Sequence, residues 1–151
     1  MNVIARTQRL PIDLDAAWSF FSDPYNLARI TPPSMGFDVL SGGDDAMYAG
    51  QIITYRIRPF LSIPTGWVTE ITHVREPHFF VDEQRVGPYR FWHHQHHFEA
   101  DGDGVVMRDH VSYIAPFGPL GALVDAVWIN RQLNTIFDYR FATLEKLFPA
   151  S

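Results

Sequence analysis

The stretch YRFWHHQHHFEADGDGVVMRDHVSYI, residues 89–114, reads as two strands folded back on one another. Asp101-Gly102-Asp103-Gly104 is a strong reversal signal, and aromatic and β-branched residues flank it on both sides. Side chains alternate between the faces of a strand. Trp92, His94, His96 and Phe98 therefore share one face of the first arm, and Phe91, His93, Gln95 and His97 share the other. The second arm divides into Val105, Met107, Asp109, Val111 and Tyr113 against Val106, Arg108, His110 and Ser112. The sets bounded by large apolar groups are expected to face inward. Placing Ala100 opposite Val105 puts both inward sets on one face. It also sets Trp92 opposite Tyr113, His94 opposite Val111, Phe98 opposite Met107, and His96 opposite Asp109. Directly opposed Cβ atoms lie ~4.5–5.5 Å apart, so His96 and Asp109 are expected within hydrogen-bonding or ion-pairing reach. Four histidines in five positions look like one cluster, yet His93 and His97 belong to the opposite face.

Strand texture continues upstream of this hairpin. Further strands are expected over 37–40, 50–58, 63–74 and 78–85, separated by Gly42-Gly43, Pro59, Glu76-Pro77 and Gly87-Pro88. Short connections imply an antiparallel meander. Residues 2–10 form a first strand; Asp13 caps a helix carrying Ala16, Ala17, Trp18, Phe20 and Phe21. Asp23-Pro24 starts a second short helix that ends at Thr31-Pro32-Pro33. Beyond Pro116-Phe117-Gly118-Pro119, the apolar positions Leu120, Leu123, Val124, Val127, Trp128, Leu133, Ile136, Phe137, Leu144 and Leu147 have helical spacing to about Phe148. A helix of that length, roughly 45 Å, must lay its apolar stripe on a sheet. The expected class is α+β: a curved antiparallel sheet of about seven strands wrapped around a long C-terminal helix, with two short helices after the first strand.

Composition narrows the function. The chain has 151 residues, 46% of them hydrophobic, the size of one domain spanning 1–151 with its own core. Twelve Phe, six Tyr and four Trp supply rings either for that core or for the wall of a pocket. The net charge of -5, without a Lys/Arg cluster, argues against a nucleic-acid surface. No cysteine is present, which removes disulfides, thiolate catalysis and Cys-based zinc sites and fits a cytoplasmic protein. No apolar run reaches the ~20 residues of an integral membrane segment.

FVDEQ at 80–84, GPYRFWHHQHHFE at 87–99, DHVSY at 109–113, PFGPLG at 116–121 and IFDYR at 136–140, together with the order of elements, resemble the START-like (SRPBCC) superfamily. This is the helix-grip group of lipid-transfer domains, Bet v 1-type proteins and polyketide cyclase/dehydrase-like proteins, and the pattern is most similar to a branch of small bacterial members. The resemblance implies a cavity between the concave sheet and the long helix that holds a hydrophobic or amphipathic small molecule. Tyr55, Trp67 and Tyr113 are ring candidates for its wall, beside Trp92, His94, His96, Phe98 and Asp109. Periodicity turns Phe79 and Val81 inward, whereas the family pattern brings Asp82 and Gln84 toward the histidines.

Three roles are open to the His94–His96–Asp109 group. It can be a paired polar cluster that holds register, since a buried Asp needs a partner. It can recognise a polar group on a ligand. It can also do chemistry, either as a three-ligand metal set or with Asp109 orienting His96 as a general base in cyclisation or dehydration. No metal or other cofactor is expected in the leading reading, and an enzyme of the cyclase/dehydratase kind is its alternative. No serine or cysteine nucleophile motif accompanies the histidines. A third class, a protein-interaction module, would have the cavity filled by its own side chains. Arg140 is expected to pair with Asp138 or a sheet carboxylate.

Overall fold

The computed structural model describes residues 1–59, 62–116, 118–120 and 125–150. Seven antiparallel strands form one sheet: β1 (Asn2–Leu10), β2 (Asp38–Ser41), β3 (Ile52–Ile57), β4 (Thr65–Arg75), β5 (Phe79–Val86), β6 (Phe91–Asp101) and β7 (Gly104–Ile114). Their order across the sheet is β1-β7-β6-β5-β4-β3-β2, so the meander closes with the first strand beside the last. Helices α1 (Leu14–Phe21) and α2 (Pro24–Arg29) follow β1. A π-helical segment, Asp125–Ile129, leads into α3 (Asn130–Leu147).

Local chemistry explains the boundaries. The Asp13 side chain accepts from the Ala16 N–H and the Asp23 side chain from the Tyr25 N–H, each capping the helix that follows. Gly102 takes φ +60°, the left-handed conformation that a two-residue hairpin loop demands, and Asp101 pairs with Gly104 across it. The β6–β7 register follows the expected pairs, His96 opposite Asp109 among them.

Helix α3 crosses the concave face and is tied to β1. Arg6 donates to Asp138 Oδ1 at 2.7 Å and to Asn134 Oδ1 at 2.6 Å, and Gln8 donates to the Phe141 carbonyl. Asp138 is thereby taken by Arg6, not by Arg140. Leu133, Phe137 and Leu144 are buried, as helical spacing requires, but Leu120 and Val127, expected on the same stripe, are exposed. The segment Asp125–Ile129 is wound as a wider π-turn, which shifts the helical phase; among its described side chains Val127 and Trp128 are exposed and Ile129 is buried. Leu123 and Val124 of that stripe lie outside the described residues.

The core divides around an open interior. One cluster joins α1 to the sheet through Trp18, Phe80, Phe98, Met107 and Leu144. A second packs Ile129, Leu133 and Phe137 of the helix on Val111 and Tyr113. Ile53, Tyr55, Ile57 and Ile71 form a third on the far strands.

Candidate functional site

Between the sheet and α3 lies a cavity of about 160 Å³. That is the scale of an apolar cavity of about 150 Å³ able to hold benzene. Tyr55, Trp67, Asp82, Trp92, His94, His96, Phe98 and Asp109 all line it. Tyr113 is set apart from it: the ring is fully buried in the helix-side core and its hydroxyl accepts from Asn130 Nδ2 at 3.3 Å. The entrance expected between 59–66 and 116–121 is described only in part, because Phe60, Leu61, Phe117 and Gly121 lie outside the described residues; Pro59 lines the cavity and its carbonyl accepts from Gln132.

The polar floor holds four side chains rather than three. Phe80 and Asp82 of β5 turn inward, opposite His96 and His94, while Phe79 stacks on His97 on the outer face. The periodicity reading of β5 is corrected by this register, and Asp82 joins the histidines. Hydrogen bonds run diagonally between the strands. His94 Nε2 lies 2.8 Å from Asp109 Oδ1, and His96 Nε2 lies 2.5 Å from Asp82 Oδ2. The directly opposed pair, His96 Nδ1 and Asp109 Oδ1, is 3.5 Å apart, and His94 Nδ1 stands 3.7 Å from Asp82 Oδ2. Strand twist brings diagonal neighbours within reach of a ring as long as imidazole. Each carboxylate thus faces both imidazoles, bonding one and attracting the other.

Stacking completes the unit. The two imidazoles lie 3.7 Å apart at 27°, and Phe80 covers the other side of His96 at 4.0 Å and 14°. Burial pushes the His96 imidazole below its ordinary range, reinforced by His94 and opposed by Asp82 and Asp109. Burial also resists ionisation of Asp109. The His94 hydrogen bond and the charges of His94, His96 and Arg140 overcome it, so this carboxyl sits well below the usual range. Asp82 behaves likewise: burial is outweighed by His94, by the His96 hydrogen bond and by the Trp92 indole N–H.

Asp82, His94 and His96 offer ligand atoms within 4.8 Å of one another, a set different from the His94, His96 and Asp109 expected for a metal. The near-parallel stack aims the in-plane lone pairs of the two rings side by side rather than at a common point. His94 Nδ1, 3.7 Å from Asp82 Oδ2, could face an ion while Nε2 stays on Asp109, but His96 Nε2 would have to give up its bond to Asp82. On the outer face His93 bonds Glu83 at 2.9 Å and His97 bonds Gln95 at 3.0 Å; His97 also borders the cavity, but its ring bonds Gln95 rather than the polar cluster.

Arg140 is the cavity residue that sequence reasoning misplaced. It lines the cavity from α3, with its guanidinium 4.9 Å from the Phe137 ring, and no carboxylate forms an ion pair with it among the described residues. Its Nε is buried without a hydrogen-bond partner. The signal was in the spacing, since Leu133, Phe137, Arg140 and Leu144 recur on one helical face and put a charge inside an apolar stripe.

No protein-family model matches the chain, and no curated protein matches it in sequence. Solved structures match it closely in shape. A major latex-like protein of Panax ginseng aligns over 99% of this chain and 98% of its own, with 13% identity and a TM-score of 0.69. For a START superfamily protein of Mycobacterium smegmatis the coverage is 96% and 98%, the identity 11% and the TM-score 0.70. A point mutant of Thalictrum flavum norcoclaurine synthase, in complex with a transition-state analogue, covers 97% of this chain and 95% of its own at 15% identity and a TM-score of 0.65. A seven-strand antiparallel sheet gripping a C-terminal helix, shared end to end with these proteins, gives the chain the helix-grip fold that they have.

Proposed function

We propose that this protein is a single-domain, cytoplasmic binder of a hydrophobic or amphipathic small molecule, held between the sheet and α3. The observation that carries the reading is the cavity itself. Rings of Tyr55, Trp67, Trp92, Phe98 and Phe137 wall it, and a small group of convergent polar side chains lies on one side, the composition of a ligand site. Unfilled space distinguishes this reading from a protein-interaction module, which calls for side chains packed through the interior. Native mass spectrometry of tag-free protein tests it, together with fluorescence titration of the neutral probe N-phenyl-1-naphthylamine. Binding lost in the cavity-filling variant Ile136→Trp, with the fold retained, supports the reading; binding unchanged in that variant refutes it.

A second reading is favoured by one specific feature, an imidazole that burial pushes toward its neutral form and that carboxylates orient. His96 would serve as a general base toward a ligand in the cavity, with His94 and the two aspartates holding its tautomer, as cyclisation or dehydration needs. The norcoclaurine synthase neighbour, in complex with a transition-state analogue, supports the idea that this fold can carry an enzyme's site. Incubation with 1-indanone in D₂O tests it: exchange of the α-proton catalysed by the wild type and abolished in His96→Gln supports a base, and no exchange above buffer removes it.

A further inference from the structure

The unsatisfied group in the cavity is Arg140. Its charge and its hydrogen-bonding capacity are in different states, and the difference defines the ligand. Asp109 and Asp82 both act on the guanidinium electrostatically. Two carboxylates against one guanidinium leave no excess of positive charge for an incoming anion to neutralise. Yet no hydrogen bond joins Arg140 to either aspartate among the described residues; Asp109 bonds His94 and Asp82 bonds His96. Nε is buried with no acceptor among the described residues. A guanidinium has five N–H donors and no acceptor, so a buried one needs oxygen lone pairs rather than more charge. Tyr55 adds to the imbalance. Its ring is buried and lines the cavity, burial and then Asp82 keep it a neutral phenol, and its hydroxyl bonds no described residue. Arg140 and Tyr55 therefore both carry donors at the cavity that no described residue accepts.

We propose that Arg140 receives the carbonyl oxygen of a small, neutral, apolar ligand, an aryl ketone or a carbonyl compound of similar size, whose body rests among the cavity rings. The ligand supplies the acceptor that the protein lacks. A carboxylate would bring the same oxygen lone pairs but would add a third negative charge near Asp82 and Asp109, at a cost that a neutral carbonyl avoids. The cavity volume, about 160 Å³, sets the size at roughly one ring with a short chain. This inference rests on the small-molecule reading above and specifies the head group.

Calorimetric binding of 4-phenylbutan-2-one, of butylbenzene and of 3-phenylpropanoate tests it. Butylbenzene has nearly the shape of the ketone without its acceptor. A hydrogen bond to a charged donor corresponds to about tenfold or more in affinity. The ratio of ketone to butylbenzene affinity is expected to fall by about that factor in Arg140→Met, with butylbenzene bound as in the wild type. In the wild type the carboxylate is expected to bind more weakly than the ketone. The infrared stretch of the ¹³C-labelled carbonyl, read on bound wild type, is expected below its value in water; this requires no variant to fold. A carbonyl stretch like that in hexane, an unchanged affinity ratio, or tightest binding by the carboxylate overturns the proposal. Butylbenzene bound in the cavity with no Arg140-dependent gain for the ketone overturns the head-group assignment alone, whereas failure of every probe to bind overturns the small-molecule reading with it.

Discussion

Asp109→Asn isolates the contribution of the buried carboxylate with almost no change in volume. In the wild type Asp109 Oδ1 accepts a hydrogen bond from His94 Nε2 at 2.8 Å, stands 3.5 Å from His96 Nδ1, and attracts the Arg140 guanidinium. The amide retains one acceptor oxygen for His94 but loses the charge, and its NH₂ is one more donor in a site already short of acceptors. A hydrogen bond to a charged group contributes about 1.5–3 kcal/mol, and loss of one partner from a buried ionic cluster costs about 3–5 kcal/mol. Because Asp82 survives beside Arg140 and both histidines, we expect a loss of about 2–4 kcal/mol at neutral pH. Urea unfolding followed by tryptophan fluorescence measures it, and in a chain of this size each kcal/mol also lowers Tm by about 2–4 °C. The pH dependence adds a signature. Asp109 titrates below its ordinary value in the folded state, so its contribution is complete above about pH 4 and fades as pH falls toward the folded value. The wild type and the variant should therefore differ by a constant amount near neutrality and converge in acid. A loss under about 0.5 kcal/mol, typical of an exposed position, would refute the reasoning.

Other positions give sharper contrasts. Acidification of the wild type should lower its urea midpoint from about pH 6.5 downward, because the unfolded chain protonates His96 before the folded one does, with further loss below about pH 3.8 from Asp82 and Asp109; a flat or rising profile between about pH 7 and 5 contradicts this. Leu144→Ala, at a fully buried position of the α1-side core away from the cavity, should cost about 2–5 kcal/mol by urea unfolding and leave probe affinity per folded molecule unchanged. His93→Ala removes a half-buried outer-face bond to Glu83 and should change stability by no more than about 1 kcal/mol and binding not at all. Gly42→Ala should destabilise by more than about 1 kcal/mol, since φ is +81° and a Cβ would stand 2.0 Å from the Ile52 carbonyl oxygen.

The β6–β7 hairpin was legible because three independent constraints agree there: a turn that tolerates one reversal, two strands with one apolar face each, and an Asp that needs a partner. His96 therefore stood opposite Asp109 as expected. Which histidine bonds which aspartate was not legible, because pairing sets Cβ positions while the twist of the strands decides which ring tip meets which oxygen. Asp82 was hidden for another reason. Phe79, Phe80 and Val81 are all apolar, so alternation in β5 has no contrast, and the Gly87-Pro88 connection does not set a register; β4 opposite it is also bulged between Ile71 and His73. The family pattern at 80–84 pointed to Asp82 where periodicity did not. In the C-terminal helix a uniform 3.6-residue period cannot represent the π-turn over Asp125–Ile129, and the phase of Val127 was lost with it. Of the two partners expected for Arg140, Asp138 is reached first by Arg6 on β1, and the sheet carboxylates Asp109 and Asp82 act on the guanidinium by charge.

The central claim is that a small apolar molecule occupies the space between Trp67, Trp92 and Phe137. Anomalous diffraction from crystals soaked in bromobenzene locates one directly through its bromine. The account predicts a principal bromine peak inside the cavity, walled by those rings and displaced in Ile136→Trp. Bromine found only on the outer surface, with the interior closed by its own side chains, would contradict it.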